Sequence, residues 1–186
     1  MILALLGFVF LIFLILVLLY NSLIAKKNSV GNAFSAIDAM LKKRYDLLPN
    51  LVETVKQYMN FERDTLTRVT ELRRQAVAPD LPSERRIHLE NQIGKAMRGI
   101  MVQVENYPDL KANQNFMHLQ RAWNEIEEQI SAARRAYNAA VYSYNNACEQ
   151  FPTNILANMM GFRLKTFIEI PEEERRNIDA NALFNH

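Results

Sequence analysis

The sequence predicts an all-α protein: an N-terminal transmembrane helix followed by an elongated antiparallel helical bundle with a long C-terminal core helix. Three observations carry this. Residues 2–20, ILALLGFVFLIFLILVLLY, hold no charge and a single non-hydrophobic residue, Gly7. The whole chain of 186 residues has only five Gly and six Pro, too few for a turn-rich β protein. Residues 109–151 run without Pro or Gly, and their apolar positions recur every three or four residues. The charge balance, 22 basic against 20 acidic residues, is far from that of a nucleic-acid binder, so no nucleic-acid partner is expected. The single Cys148 excludes an intrachain disulfide and a Cys-cluster metal site.

The first element is the membrane span. A bilayer core of about 30 Å needs about 20 apolar residues in a helix, and 2–20 supply them, with Tyr20 as an interfacial anchor. A cleaved signal peptide fits less well, because a basic leader and a small-residue cleavage site are both missing. Lys26 and Lys27 follow the span, and the positive-inside rule then puts the body in the cytoplasm and the short N-terminus outside. The division expected is an anchor over 1–25, a helical body over 26–170 and a polar tail over 171–186.

In the first segment of the body, Val30, Phe34, Ile37, Leu41, Leu48, Val52, Val55, Met59, Leu66, Val69 and Leu72 lie on one drifting helical face. Pro49 removes a backbone donor in the middle, so the helix either kinks there and continues or stops and restarts, and a kinked continuation is favoured. Pro79-Asp80-Leu81-Pro82 is a loop, with Ser83 as the cap of a third segment reaching Asn106. Gly94 and Gly99 weaken that helix by about 1 kcal/mol each against Ala, and both leave room for close helix approach. In the long segment Phe116, Leu119, Trp123, Ile126, Ile130, Ala133, Tyr137, Ala140, Tyr144, Ala147 and Phe151 alternate by 3 and 4 over five heptads. The Ala and Tyr in this seam favour packing within a bundle over a free zipper. Pro152 and Gly161 bracket one more short helical piece.

The chain offers no pattern for catalysis. His88, His118 and His186 lie outside H-E-x-x-H, and none has a Glu three residues before it, as a di-iron bundle would need. Glu84 and His88 stand at i, i+4, which reads as a surface pair rather than a metal site. Phosphate-loop, dinucleotide and nucleophile-elbow motifs are lacking. No catalytic residue, cofactor or metal is therefore expected. Lys42-Lys43-Arg44 is the densest basic run, but on a straight helix it lies about 36 Å beyond Tyr20. A solvated face or pairing within the bundle explains it better than lipid contact.

At Lys43-Arg44-Tyr45-Asp46-Leu47-Leu48-Pro49-Asn50-Leu51-Val52-Glu53-Thr54-Val55 the chain resembles the bacterial LemA family. The resemblance continues through Tyr20-Asn21, Ile37-Asp38, Tyr107-Pro108-Asp109-Leu110-Lys111-Ala112-Asn113, Asn115-Phe116, Tyr137-Asn138, Tyr144-Asn145, Phe151-Pro152-Thr153-Asn154 and Gly161-Phe162. It implies a single N-terminal span in the inner membrane, a helical body and an external N-terminus. It also implies links to magnetosome membranes in some members and to a neighbouring membrane metalloprotease in others, with no catalytic residues to transfer. Phe61, Phe34 and Ile168 depart from residues common in the family, as packing swaps.

The function expected is a non-enzymatic, membrane-anchored scaffold or adaptor that contacts membrane lipids, self-assembles as a homo-oligomer and engages other membrane proteins. The alternative is an accessory regulator of a membrane-embedded enzyme such as a quality-control protease. The expected oligomer interface is Asn138, Tyr142 and Asn145. They share a face at i, i+4, i+7 within the charge-free run 136–148, AYNAAVYSYNNAC, where a solvent-facing helix would carry charge. The membrane flank is Tyr20, Lys26 and Lys27.

Overall fold

The computed structural model describes residues 1–59, 63–78, 81 and 83–168, and every regular element among them is helical. The order is α1 (Ile2–Lys56), α2 (Arg63–Ala76), α3 (Ser83–Val104), α4 (Pro108–Lys111), α5 (Gln114–Glu149) and α6 (Thr153–Met159). A non-helical segment, 162–168, follows. The tail expected over 171–186, and Phe61, lie outside the described residues.

Two compact units form, and they do not follow chain order. One joins the start of α1, through Ile37, to the chain from Ser131 onward; the other is Asp38–Ile130. In the second unit α1 and α5 are antiparallel, since Arg44 meets Glu127, Thr54 meets Asn115 and Tyr58 meets Asn113. Arg73 of α2 reaches back to Tyr45 of α1, and Asp38 and Arg44 of α1 meet Arg86 and Glu90 of α3 in the same order. The unit is therefore an up-down-up-down four-helix bundle closed by α5, with α4 as the link from α3.

Pro49 does not stop α1, which runs on to Lys56. The break comes instead at Gln57 and Tyr58, where backbone bonds from Tyr58 and Met59 both return to Val55. Met59 is fully buried at this corner, so the apolar pattern crosses the turn without a gap. That is why the apolar spacing from Val30 to Leu72 reads as one helical face.

The long helix is also shorter than the sequence suggests. Asn113 caps α5, its side-chain oxygen accepting from the Phe116 N–H at 3.0 Å, the third residue of the helix and the usual target of such a cap. Phe151 lies beyond the end of α5 and is 80% exposed, outside the seam. Within α5 the seam is rotated from the predicted one. Phe116, Trp123, Ile130, Tyr137, Tyr144 and Ala147 are buried as expected, but so are Arg134, Val141 and Cys148, whereas Leu119, Ile126, Ala133 and Ala140 are half-buried. A helix covered from two sides needs this wider stripe.

The glycines of α3 do not mark a close approach. A methyl group at Gly99 would meet nothing within 4 Å, and one at Gly94 would meet only the tip of Arg98 at 3.9 Å. Gly99→Ala is thus expected to stabilise the protein by about 1 kcal/mol, through helix propensity and a less free unfolded chain. An unchanged or lowered denaturation midpoint would show that something does occupy that space.

Candidate functional site

The face of α5 that carries Asn138 and Asn145 is occupied by the chain itself. Gly161 adopts φ +69 just after α6. The Phe162 N–H bonds to the Ala157 carbonyl and the Gly161 N–H to the Asn158 carbonyl, the paired bonds of a Schellman helix end. This end turns the chain into a strap, 163–168, along α5.

The strap is held by two Tyr-Asn doublets seven residues apart. Asn145 accepts from the Lys165 N–H and donates to the Lys165 carbonyl, both at 2.9 Å. Asn138 does the same to Ile168, again at 2.9 Å. The Tyr144 hydroxyl donates to the Arg163 carbonyl at 3.0 Å and the Tyr137 hydroxyl to the Thr166 carbonyl at 3.2 Å. Seven helical residues rise about 10.5 Å, and three extended residues span about 10 Å. One heptad therefore keeps step with three strap residues, and the doublet repeats the same contacts. Amides read both polar groups of one residue, so the strap is recognised through its backbone. Burial, with the Cys148 thiol alongside, pushes the Tyr144 phenol up to about 12, and burial raises Tyr137 as well. Both hydroxyls stay protonated, as donors must.

Asn138→Ala and Asn145→Ala should each weaken strap closure by about 1 kcal/mol, roughly five-fold in opening. The readout is hydrogen exchange at the Ile168 and Lys165 amides respectively. Exchange no faster than in the parent chain would mean that the amides do not hold the strap.

Of the three residues expected at an interface, Asn138 and Asn145 thus spend their amides within the chain, and Tyr142 is left 62% exposed. At 100° per residue Tyr142 lies about 40–60° around α5 from the two asparagines, at the edge of the strap. The strap turns Leu164 and Phe167 outward, each 53% exposed.

The flank residues are also engaged. Tyr20 meets the Phe162 ring edge-on at 6.4 Å. Lys26 Nζ donates to Ser143 Oγ at 2.7 Å, and Lys27 Nζ stands 5.8 Å over the Phe162 ring. Cys148 is buried, His88 is exposed, and the Glu84 side chain lies outside the described set. Among the described residues no three His, Cys, Asp or Glu side chains gather as a metal site would need.

A charged core inside the four-helix unit was only partly legible. Arg44 is 2% exposed and bonds to the Glu90 carboxylate, to the Glu90 carbonyl at 3.3 Å and to Glu127 at 2.6 Å. Its guanidinium lies 5.6 Å over the Trp123 ring. The Tyr45 hydroxyl donates to the other Glu90 oxygen, and burial followed by the Glu90 charge drives the Tyr45 phenol well above its usual range. Pairing within the bundle, one of two readings open for the basic triplet, holds for Arg44, whereas Lys42 and Lys43 are exposed. Three helices meet through these side chains, with both terminal nitrogens of Arg44 bonded and its buried Nε without a hydrogen-bond partner, and the contacts tie α1, α3 and α5 together.

None of the most apolar stretch of α1 is buried within the structure, and this free span joined to helical units defines a membrane-associated helical-bundle protein. The family model described as LemA family matches residues 33–181, and the chain belongs to that family. It is similar to Protein LemA of Metamycoplasma hominis, 30% identical over 165 residues, covering 89% of this chain and 75% of that protein. It is also similar to Magnetosome protein MamQ 2 of Paramagnetospirillum magneticum, 23% identical, and Magnetosome protein MamQ of Magnetospirillum gryphiswaldense, 22% identical. The chain spans 66% and 67% of the length of those two.

Proposed function

We propose that this is a membrane-anchored scaffold or adaptor that self-assembles in the plane of the bacterial inner membrane, with its body cytoplasmic. The observation that carries the proposal is the exposed surface of Tyr142, Leu164 and Phe167 beside a helix run without charge. Water-facing helices carry charge, and Tyr with apolar neighbours is the composition of an interface core. Asn138 and Asn145 serve that surface indirectly, by fixing the strap that presents Leu164 and Phe167. Anchoring holds copies parallel in one plane and raises their effective concentration. Parallel copies close most simply as a cyclic cluster about the membrane normal.

The test is Tyr142→Glu with Phe167→Glu in the full chain, purified from gently solubilised membranes. A smaller particle with unchanged helicity supports the proposal, and an unaltered particle refutes this interface. A stoichiometric membrane protease in the parent particle would favour the regulator reading. Orientation rests on Lys26 and Lys27. With Cys148→Ser, a cysteine at Ala180 should resist impermeant thiol reagents in intact cells, and ready labelling would invert the topology.

A further inference from the structure

The antiparallel register within the first unit places α6 level with the end of the apolar span. Lys26 meets Ser143, and the Phe34 and Tyr137 rings stand 6.0 Å apart. Carried about six residues further, that register brings the end of α5 level with Tyr20, where the apolar span stops. The Tyr20–Phe162 ring contact confirms the level from the other side of α6.

At this level the chain exposes large apolar side chains in succession. Ile155 and Met159, one turn apart on α6, are 54% and 79% exposed; Phe151 before the helix and Met160 after it are 80% and 55% exposed. Ala157, on the opposite side of α6, is buried, so the helix has a docked face and an unpartnered one. α6 itself carries no charge. Positive charge comes from beside it: Lys27, Arg163 and Lys165 line one cleft with Tyr20 and Phe162. Glu149 is the acidic residue at the end of α5. An apolar patch of this kind is costly in water, whereas apolar side chains next to basic ones are what sits in the headgroup layer.

We infer that α6 with Phe151 and Met160 is a second, interfacial membrane contact, an apolar foot set into the same leaflet surface from which α1 emerges. Lys27, Arg163 and Lys165 meet anionic headgroups around it. The occupant is the bilayer because the patch is continuous with the span at Tyr20. The inference rests on the anchor and is independent of self-assembly. It gives the body two attachments, so that the unit carrying the strap is oriented on the membrane rather than swinging from one helix.

The experiment uses the full chain with Cys148→Ser in nanodiscs of phosphatidylcholine and phosphatidylglycerol. Single nitroxide labels are placed through Met159→Cys and, separately, Ile155→Cys. Leu14→Cys marks the span and Lys95→Cys marks water. Accessibility to oxygen and to a nickel chelate gives depth. The labels at 155 and 159 are expected to be oxygen-accessible and shielded from nickel, on the order of 5–10 Å into the interface and shallower than the label at 14. Changing Lys27, Arg163 and Lys165 to Glu should move the 159 label toward water, and no movement would overturn the headgroup contact. Nickel accessibility equal to that at 95 would overturn the foot, and with the label at 14 still in lipid it would leave the anchor standing. Shielding from both reagents, or spin broadening relieved by unlabelled chain, would assign the patch to protein or to a second copy and equally overturn it.

Discussion

Arg44→Met is expected to destabilise the four-helix unit by about 3–5 kcal/mol, the largest loss from any single polar change. The substitution keeps a side chain of similar length, so the effect is one of charge. Glu90 is 2% exposed, and removing its guanidinium partner leaves a buried carboxylate short of its main compensation. The bond to Glu127 disappears with it, but Glu127 is one-third exposed and turns to water. The cost therefore falls almost wholly on Glu90. A triple change, Arg44→Met with Glu90→Met and Tyr45→Phe, removes the charges and the donor together and should recover much of the loss, because replacing a whole buried network by apolar groups is often near neutral. Urea denaturation of the two variants decides the matter. Equal losses in both would mean that shape, and not charge, governs the site.

Trp123→Ala is expected to cost a similar amount, about 3–5 kcal/mol, for a different reason. Trp123 is 4% exposed in the α5 seam, and its removal leaves a large void plus a guanidinium without its ring. Trp123→Phe keeps most of the packing and a weaker ring face, and should lose distinctly less. An unshifted melting curve for the Ala variant would contradict the burial. The two sites touch, so their losses will not add. The Ala variant combined with Arg44→Met should cost less than the sum of both.

The helices and the apolar span were legible because their signals are local. Charge-free length marks 2–20, and Gly and Pro mark the ends of α3 and α6. Boundaries failed where a polar side chain or a buried turn makes the decision. Asn113 starts α5 directly after the Ala112 end of α4 without interrupting the apolar spacing, and Met59 keeps that spacing across the corner at Gln57 and Tyr58. Pro49 was the louder signal and the weaker constraint, because one missing backbone donor does not outweigh the buried face formed by Leu48, Leu51 and Val55.

The site was legible in its residues and not in their use. The run 136–148 is conspicuous for its missing charge, and the Tyr-Asn doublets stand there in plain sight, seven apart. What they bind is a segment 19 to 30 residues further on, with no periodic signal of its own. A strap held by its backbone leaves no side-chain pattern to find. The doublet spacing was the available clue: identical polar pairs one heptad apart on a helix match a partner that repeats every three extended residues. Arg44 stayed ambiguous for a related reason, since its partners Glu90 and Glu127 come from helices that only the folded bundle brings together.

The central claim, a membrane-anchored body that assembles with its own copies, is tested most directly by the mass and composition of the native particle extracted in mild detergent. A homomeric particle at an integral multiple of the 21.6 kDa chain, of two or more copies and reduced by Tyr142→Glu with Phe167→Glu, is the predicted result. A monomer from the outset, or a particle built on a different protein in fixed proportion, would contradict it.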